Sequence, residues 1–204
     1  MFWDNVAWVY DIFADGINRK ANRKLCKVVA GLISPTDDVL ECACGTGLLS
    51  GVIAKHCKAL TATDFSAKML ARTRKKYGQY PHVRFEQADI LHLPYPDARF
   101  DTVVAANVIH LLDEPLRALR ELDRVCRPGG RIIIPTYMNG TESGRTNGVS
   151  SAIGRAGADF KREFTPESYR AFFERAGYRG AQYTLCRGRI PCAVSVLRKT
   201  EENT

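Results

Sequence analysis

The stretch VLECACGTGLLSG (residues 39–51) places an acid, two cysteines and the close pair Gly45 and Gly47 within a short apolar run. Its first part, DVLECA, is apolar and bounded by turn residues, which is typical of a buried β-strand. Gly45 and Gly47 allow a tight turn and the close approach of backbone to a ligand. The residues LLSGVIAKHCK then follow a helical pattern. The stretch therefore predicts a strand, a glycine turn and a helix whose N-terminus faces a binding site.

The alternation of strands and helices continues along the chain. The runs ALTATD, HVRFEQAD, FDTVVAAN and RIIIPTYM predict strands, and SAKMLARTRKKYG and EPLRALRELDRVC predict helices between them. The segment ILHLPYPDAR predicts a loop in place of one helix. The runs AQYTLCR and PCAVSVLRK predict an antiparallel hairpin. We expect an α/β, Rossmann-like, doubly wound sheet of seven strands, mostly parallel with the C-terminal hairpin at its edge and helices on both faces.

A single domain accounts for the 204 residues, because the chain shows neither a linker nor an internal repeat. We divide it into N-terminal cap helices (1–33), a ligand-binding core (34–137), an insertion (138–164) and a C-terminal helix with the hairpin (165–204). The insertion is rich in Gly and Ser, which predicts a mobile lid.

The composition is that of an ordinary globular protein, with 45% hydrophobic and 25% charged residues. The chain has no run of about 20 apolar residues and no basic start of a signal peptide, so we expect a cytoplasmic protein. Its seven cysteines form no C-x-x-C pair. This pattern argues against a disulfide framework and a zinc finger, and it favours buried free thiols.

The net charge of +8 is concentrated in two segments without acids, RKANRKLCK (19–27) and KMLARTRKKYGQYPHVR (68–84). Such segments are typical of solvated helix faces, but they can also contact RNA or a lipid surface. We predict a small-molecule partner and keep nucleic acid and peripheral membrane contact as alternatives. No feature of the sequence indicates an obligate protein partner.

Several binding chemistries are disfavoured by the residues around the glycines. A dinucleotide site requires G-x-G-x-x-G, but Ser50 occupies the third position counted from Gly45, and the chain has no Gly-Lys-Ser or Gly-Lys-Thr of a P-loop. A metal at Cys42, Cys44 or Cys57 would need strand side chains that alternate between faces to converge, without a histidine at ligand spacing. We therefore predict no metal site.

Polar residues stand at the carboxyl ends of four predicted strands. Glu41, Asp64, Asp89 and Asn107 end the first, second, third and fourth strand. In open α/β sheets, ligands bind beyond these strand ends, and an acid in the place of Asp64 binds a ribose diol. The sequence therefore predicts a nucleoside site at one edge of the sheet.

The segments VLECACGTG, TATDFSAKML, FEQADILHLPYPDARFDTVVAANVIHLL and LRALRELDRVCRPGGRIII resemble, in order and spacing, the signature segments of class I S-adenosylmethionine-dependent methyltransferases. The resemblance spans about residues 36–137, and it is to the methyltransferase type 11 branch, which contains quinone-biosynthesis C-methyltransferases. Ala43 departs from the family by replacing the first glycine, and we expect its methyl group to narrow the turn slightly. The resemblance implies S-adenosylmethionine as cofactor and S-adenosylhomocysteine as product.

The resemblance also implies which residues hold the cofactor. Those around the glycine turn would bind the methionine part, those at the next two strand ends the ribose and adenine, and an N-terminal aromatic residue would cover the sulfonium. Core packing and helix capping are the structural alternatives for these residues. The implied cofactor-binding residues are Tyr10, Glu41, Ala43, Cys44, Gly45, Gly47, Asp64, Phe65, Met69, Asp89, Ile90 and Asn107.

Methyl transfer from a sulfonium depends mainly on alignment, although a general base helps a carbon or oxygen acceptor. His110 and Tyr137 are the catalytic candidates, each with a structural alternative. The aromatic N-terminal residues favour a small lipophilic acceptor: a quinone precursor, a phenol or other hydroxyl, or an amine. RNA methylation, phospholipid N-methylation, a silent nucleoside-binding protein and a nicotinamide enzyme are the alternatives.

Overall fold

The computed structural model describes residues 18–138 and 161–199. These residues form a seven-stranded sheet in the order β3-β2-β1-β4-β5-β7-β6. The strands are β1 (Asp38–Cys42), β2 (Ala59–Asp64), β3 (Val83–Gln87), β4 (Phe100–Ala105), β5 (Cys126–Tyr137), β6 (Gln182–Cys186) and β7 (Cys192–Arg198). The helices are α1 (Arg19–Leu32), α2 (Ser50–Ala54), α3 (Ala67–Tyr77), α4 (Pro115–Val125) and α5 (Pro166–Arg175), with a 3-10 turn at Ile109–Leu111.

The strand order reverses between β1 and β4. Strands β1 to β5 pair in parallel, whereas β7 is antiparallel to both β5 and β6. In such sheets, the reversal leaves a crevice beyond the carboxyl ends of the two central strands. The predicted doubly wound sheet with an antiparallel C-terminal hairpin at its edge is confirmed.

Helices cover both faces of the sheet with separate apolar cores. Helices α1, α2 and α3 form one layer, in which Leu25, Ile53 and Leu70 share a core. Helices α4 and α5 form the other layer, with Leu122 and Phe173 among its buried side chains. The hydrophobic effect of burying both faces explains why the central strands are almost continuously apolar.

The helices follow the predicted positions, with one difference in length. Ser66 caps α3 as expected, because its hydroxyl accepts a hydrogen bond from the amide of Met69 at 3.2 Å. Helix α2 has only five residues, fewer than the helical pattern predicts. Gly51 and the β-branched Val52 and Ile53 occupy this segment, and residues of these types have low helix propensity.

Two predicted regions fall wholly or mostly outside the described residues. They are residues 1–17, which include Tyr10, and residues 139–160 of the insertion. The division of the chain into a cap, a core and an insertion stays a prediction. Within residues 18–138 and 161–199, no helix combines the length and the apolar character that crossing a bilayer requires.

Candidate active site

The glycine turn after β1 reverses the chain through left-handed backbone conformations. The φ angles of Ala43, Gly45 and Gly47 are 52°, 57° and 89°. Glycine adopts this conformation without cost, but an alanine is strained there because its Cβ approaches the following carbonyl. The departure from the family pattern at Ala43 therefore acts on the backbone conformation and not only on the width of the turn.

Helix α3 holds the glycine turn from one side. The hydroxyl of Thr73 donates a hydrogen bond to the carbonyl of Gly45 at 2.7 Å. The ring of Tyr77 packs so closely that a Cβ on Gly47 would lie 2.7 Å from one of its carbons. Gly47 is thus required both by its φ angle and by this contact. Neither Thr73 nor Tyr77 was identified from the sequence, because both act across a gap of many residues.

Asp64 connects the glycine turn to the end of β2. Its two carboxylate oxygens accept hydrogen bonds from the amides of Gly45 and Ser66, each at 2.8 Å. A carboxylate has about four acceptor positions, so each oxygen can accept another hydrogen bond from a ligand. Its side chain therefore fixes the turn and can also bind a ligand hydroxyl.

A cavity of about 340 Å³ lies at the carboxyl edge of the sheet. Its lining includes eight of the predicted cofactor residues: Ala43, Gly45, Asp64, Phe65, Met69, Asp89, Ile90 and Asn107. It also includes six apolar residues that the sequence analysis missed: Ala88, Leu91, Ala106, Val108, Leu111 and Leu112. Ala88, Leu91, Ala106 and Val108 are chain neighbours of the predicted residues, and this adjacency was their signal. The structure thus brings carboxylates, open backbone and aliphatic side chains together in one cavity.

Two further strand ends shape the cavity through local hydrogen bonds. Asp89 accepts a hydrogen bond from the amide of Leu91 at 2.9 Å, which closes the turn after β3. Asn107 follows β4 with a φ of 53°, a conformation that Asn tolerates better than most residues. Its side-chain oxygen accepts from the amide of Tyr137 at 3.1 Å, so it links the ends of β4 and β5.

Glu41 does not line the cavity, although it belongs to the implied cofactor set. Its side chain is only 2% exposed, and its Oε2 accepts a hydrogen bond from the Ser50 hydroxyl at 2.6 Å. Burial raises the pKa of Glu41 to about 8, with the Ser50 hydrogen bond opposing this rise and the nearby Asp64 charge adding to it. The protonated carboxyl is therefore favoured at neutral pH in the ligand-free fold.

Cys44 and Gly47 also lie behind the cavity lining. The amide of Cys44 donates to the carbonyl of Thr63 at 2.9 Å, and this bond joins the turn to β2. Burial raises the pKa of the Cys44 thiol, so it stays protonated. Among the residues that the structure describes, no group of three or more His, Cys, Asp or Glu side chains is arranged to hold a metal ion.

The two catalytic candidates, His110 and Tyr137, are not among the cavity-lining residues. His110 is buried in the 3-10 turn, and burial lowers its pKa to about 4, so its ring is neutral at physiological pH. The Tyr137 hydroxyl donates to Asn22 of α1 at 2.9 Å. The catalytic roles of both residues stay predictions.

A family model described as a methyltransferase domain matches residues 40–134. This range includes the glycine turn, Asp64, Asp89 and the whole cavity lining. The match covers slightly less than half of the chain, and it identifies this part as similar to a methyltransferase domain. The resemblance of the signature segments is thereby confirmed.

Relatives of known name support the same family. The chain is 40% identical over 126 residues to a phosphatidylethanolamine N-methyltransferase of Cereibacter sphaeroides, covering 60% of this chain and 59% of that protein. It is 35% identical over 139 residues to a ubiquinone/menaquinone biosynthesis C-methyltransferase of Bdellovibrio bacteriovorus, covering 65% and 58%. The chain thus spans less than two thirds of the length of these curated relatives.

The fold also matches that of solved methyltransferase structures. The crystal structure of a SAM-dependent methyltransferase from Thermotoga maritima aligns with a TM-score of 0.75 over 97% of this chain and 98% of that one. The two sequences are 18% identical. This likeness establishes the shared Rossmann-like fold.

Proposed function

We propose that this protein transfers a methyl group from S-adenosylmethionine to a small lipophilic acceptor. The observation that carries the proposal is the cavity at the carboxyl edge, where Asp64, Asp89 and the glycine turn lie beside aliphatic side chains. The methyltransferase domain of residues 40–134 supports the cofactor assignment.

The residues around the cavity fit S-adenosylmethionine. No atom lies within 4 Å of the position that a Cβ on Gly45 would occupy, so a ligand can approach this backbone closely. The carboxylates of Asp64 and Asp89 accept hydrogen bonds from hydroxyl and amino groups and attract a cation. The bound cofactor would supply a methyl group on a positively charged sulfur.

The proposed roles follow the order of the strand ends. Asp64 binds the ribose hydroxyls, and Asp89 with the backbone of Ile90 binds the adenine amino group. Phe65 and Met69 border the adenine ring. The methionine part is held by the turn from Ala43 to Gly47, including Cys44, together with Asn107. Glu41 supports this turn from behind through Ser50, as its buried hydrogen bond indicates.

Catalysis in this proposal depends mainly on alignment of the acceptor with the methyl group. The neutral ring of His110 is in the protonation state of a base, but its lowered pKa makes it a weak one. Tyr137 is held by Asn22 and would act through its link to Asn107. Both are proposed as secondary contributors to turnover.

The acceptor class follows from the aliphatic wall of the cavity. Val108, Leu111 and Leu112 line it on the side of β4, and such a surface favours an apolar molecule. Two similar proteins are named for phosphatidylethanolamine and for ubiquinone/menaquinone biosynthesis, and both names refer to lipophilic molecules. We therefore propose a quinone precursor or a phospholipid amine ahead of phenols, other small amines and RNA.

Transfer of a labelled methyl group from S-adenosylmethionine distinguishes these acceptors. The full chain is incubated with quinone precursors, phosphatidylethanolamine, small amines and total RNA, and the label is followed into each fraction. We expect label in a lipid-extractable product. Label in RNA alone would contradict the acceptor class, because RNA stays in the aqueous phase.

Thermal stabilisation by S-adenosylhomocysteine, compared with NADH, tests the cofactor separately. We expect stabilisation by S-adenosylhomocysteine only. Stabilisation by NADH alone would overturn the methyltransferase proposal. Stabilisation by S-adenosylhomocysteine without transfer to any acceptor would favour a silent nucleoside-binding protein.

A further inference from the structure

The two helical layers differ sharply in charge. Residues 18–36, 43–58 and 65–82, which contain α1, α2 and α3, carry twelve Lys and Arg residues and no Asp or Glu. The segments of α4 and α5, residues 114–125 and 165–175, carry five arginines and five acids. The charge of this protein is therefore asymmetric across its sheet.

The cations of the first layer face solvent. Of the twelve, all but Arg72 are exposed. A carboxylate approaches this layer at its border, where the Lys58 ammonium lies 3.9 Å from Asp38. Like charges gathered on one surface repel one another, so an anionic partner lowers their electrostatic energy. We call the exposed surface of α1, α2 and α3 the basic face.

The basic face adjoins the cavity. Phe65 and Met69 line the cavity, and the first turn of α3 carries the exposed Lys68 between them. The Phe65 side chain is 52% exposed, so it offers an apolar contact where the basic face meets the cavity. A flat anionic surface bound to the basic face would thus lie beside the cavity.

The side chains of the basic face suit a lipid surface better than single-stranded RNA. RNA binding of this kind combines cations with exposed aromatic rings on which bases stack. Phe65 at the border of the cavity is one exposed ring. Tyr77 is half-buried against Gly47 and Gly51, and Tyr80 is half-buried beside His82, so residues 18–36, 43–58 and 65–82 do not present a series of exposed rings. A membrane of anionic phospholipids needs only clustered Lys and Arg near its surface.

We propose that the basic face binds the surface of an anionic phospholipid membrane and thereby places the cavity beside the bilayer. The inference deepens the proposed function, on which its biological purpose rests, since a lipophilic acceptor resides in the bilayer. The binding itself requires no catalysis. It can therefore be measured even if methyl transfer fails.

Vesicle co-sedimentation of the full chain tests the proposal. The vesicles consist of phosphatidylcholine, either pure or with about one third phosphatidylglycerol. We expect binding only to the anionic vesicles, with loss of binding as salt shortens the range of the attraction. Equal binding to pure phosphatidylcholine, or no binding to either, would overturn it.

A triple substitution tests whether the basic face is the surface that contacts the vesicle. Lys24→Gln, Lys27→Gln and Lys75→Gln remove three exposed charges from α1 and α3 without touching the cavity lining. We expect vesicle affinity to fall about tenfold or more. The matched control, Arg120→Gln, Arg175→Gln and Arg179→Gln, removes three exposed charges from the opposite side and should change affinity less than about twofold.

Two further readouts complete the test. S-adenosylhomocysteine binding should be equal in the wild type and both triple variants, which shows that each variant is folded and that the cofactor site is intact. If the control variant lost vesicle affinity as strongly as the Lys variant, the proposed surface would be wrong. If the Lys variant lost affinity for single-stranded RNA but the wild type did not bind vesicles, the partner would be nucleic acid instead.

Discussion

The two edges of the sheet differ in how a buried acidic residue is stabilised. At the amino edge, Asp37 accepts hydrogen bonds from the Ser34 amide at 3.0 Å, the Thr102 hydroxyl at 2.9 Å and Arg131 at 2.9 Å. At the carboxyl edge, Glu41 is buried with a raised pKa and without a cation as its main partner. The buried acid at the amino edge is thus paired with a cation, whereas the buried acid at the carboxyl edge is kept neutral by protonation.

Backbone strain is present at both edges. Ala43 and Asn107 at the carboxyl edge are in the left-handed region, and so is Ala98 before the amino end of β4. Strained conformations of this kind persist where the surrounding structure enforces them, and they cluster at binding sites. The comparison suggests that the amino edge supplies stability and that the carboxyl edge supplies binding. Each prediction below tests one side of this division.

The largest expected effect is on ligand binding at the carboxyl edge. Asp64→Ala removes the acceptor of two backbone amides and the proposed partner of the ribose. We expect S-adenosylhomocysteine to bind at least about 100-fold more weakly, since several charge-assisted hydrogen bonds are lost. Isothermal titration calorimetry measures the affinity, with circular dichroism as the control for folding. A folded variant that binds within about threefold of the wild type would refute the assignment of Asp64.

The next effect is on stability at the amino edge. Asp37→Ala leaves the Arg131 guanidinium and the Thr102 hydroxyl without their buried acceptor. We expect the free energy of unfolding to fall by about 3 kcal/mol, with S-adenosylhomocysteine affinity unchanged. Urea denaturation measures the loss.

Asp38→Ala is the matched control for Asp37→Ala. Its partner Arg99 is more exposed, and we expect the control to cost less than about 1 kcal/mol. If Asp37→Ala weakened ligand binding and left stability intact, the division between the edges would not hold.

Glu41→Gln tests the carboxyl edge through the pH dependence of the free energy of unfolding. The pKa of Glu41 in the folded protein is about 8, above its ordinary value of 4.5, so the protonated carboxyl favours folding. This contribution is fully present below pH 4.5 and is lost as pH rises through about 8. Glutamine is neutral throughout and keeps an acceptor for the Ser50 hydroxyl.

We expect Glu41→Gln to gain stability relative to the wild type as pH rises, by on the order of 1 kcal/mol per pH unit, and to level off above the pKa. Urea denaturation at about pH 5, 7 and 9 follows this difference. A difference that stayed constant with pH would show that Glu41 is ionised in the folded protein.

The smallest expected effect is at Ala43. Ala43→Gly relieves the left-handed strain but increases the freedom of the unfolded chain. We expect a net gain of about 0.5 kcal/mol in the free energy of unfolding. Thermal denaturation checks it, and Ala54→Gly, within α2, is a control that should destabilise by about 1 kcal/mol. A loss of stability at both positions would mean that the Ala43 conformation is unstrained.

The sequence predicted those features that depend on local pattern. The order of strands, the glycine turn and the polar strand ends follow from apolar periodicity and turn residues, and the structure places most of these polar residues at one cavity. Glu41 is the instructive exception. Side chains alternate between the faces of a strand, so Glu41 points with Val39 towards α2, away from the cavity.

Features that depend on packing between distant residues could not be predicted. The cavity wall at Leu111 and Leu112 exists because Asn107 turns the chain with a positive φ, which no apolar pattern encodes. The contacts of Thr73 and Tyr77 with the glycine turn depend on how α3 packs against β2. Such contacts are decided by the whole fold.

Hydrogen bonds of Asn107 and Tyr137 connect the cavity to α1. The Tyr137 amide donates to Asn107, and the phenol of the same residue donates to Asn22. A molecule bound beside Asn107 is therefore expected to affect the hydrogen bond of the Tyr137 amide. We expect the exchange rate of this amide proton to change when the cavity is occupied, which spectroscopy can follow without a label on the ligand.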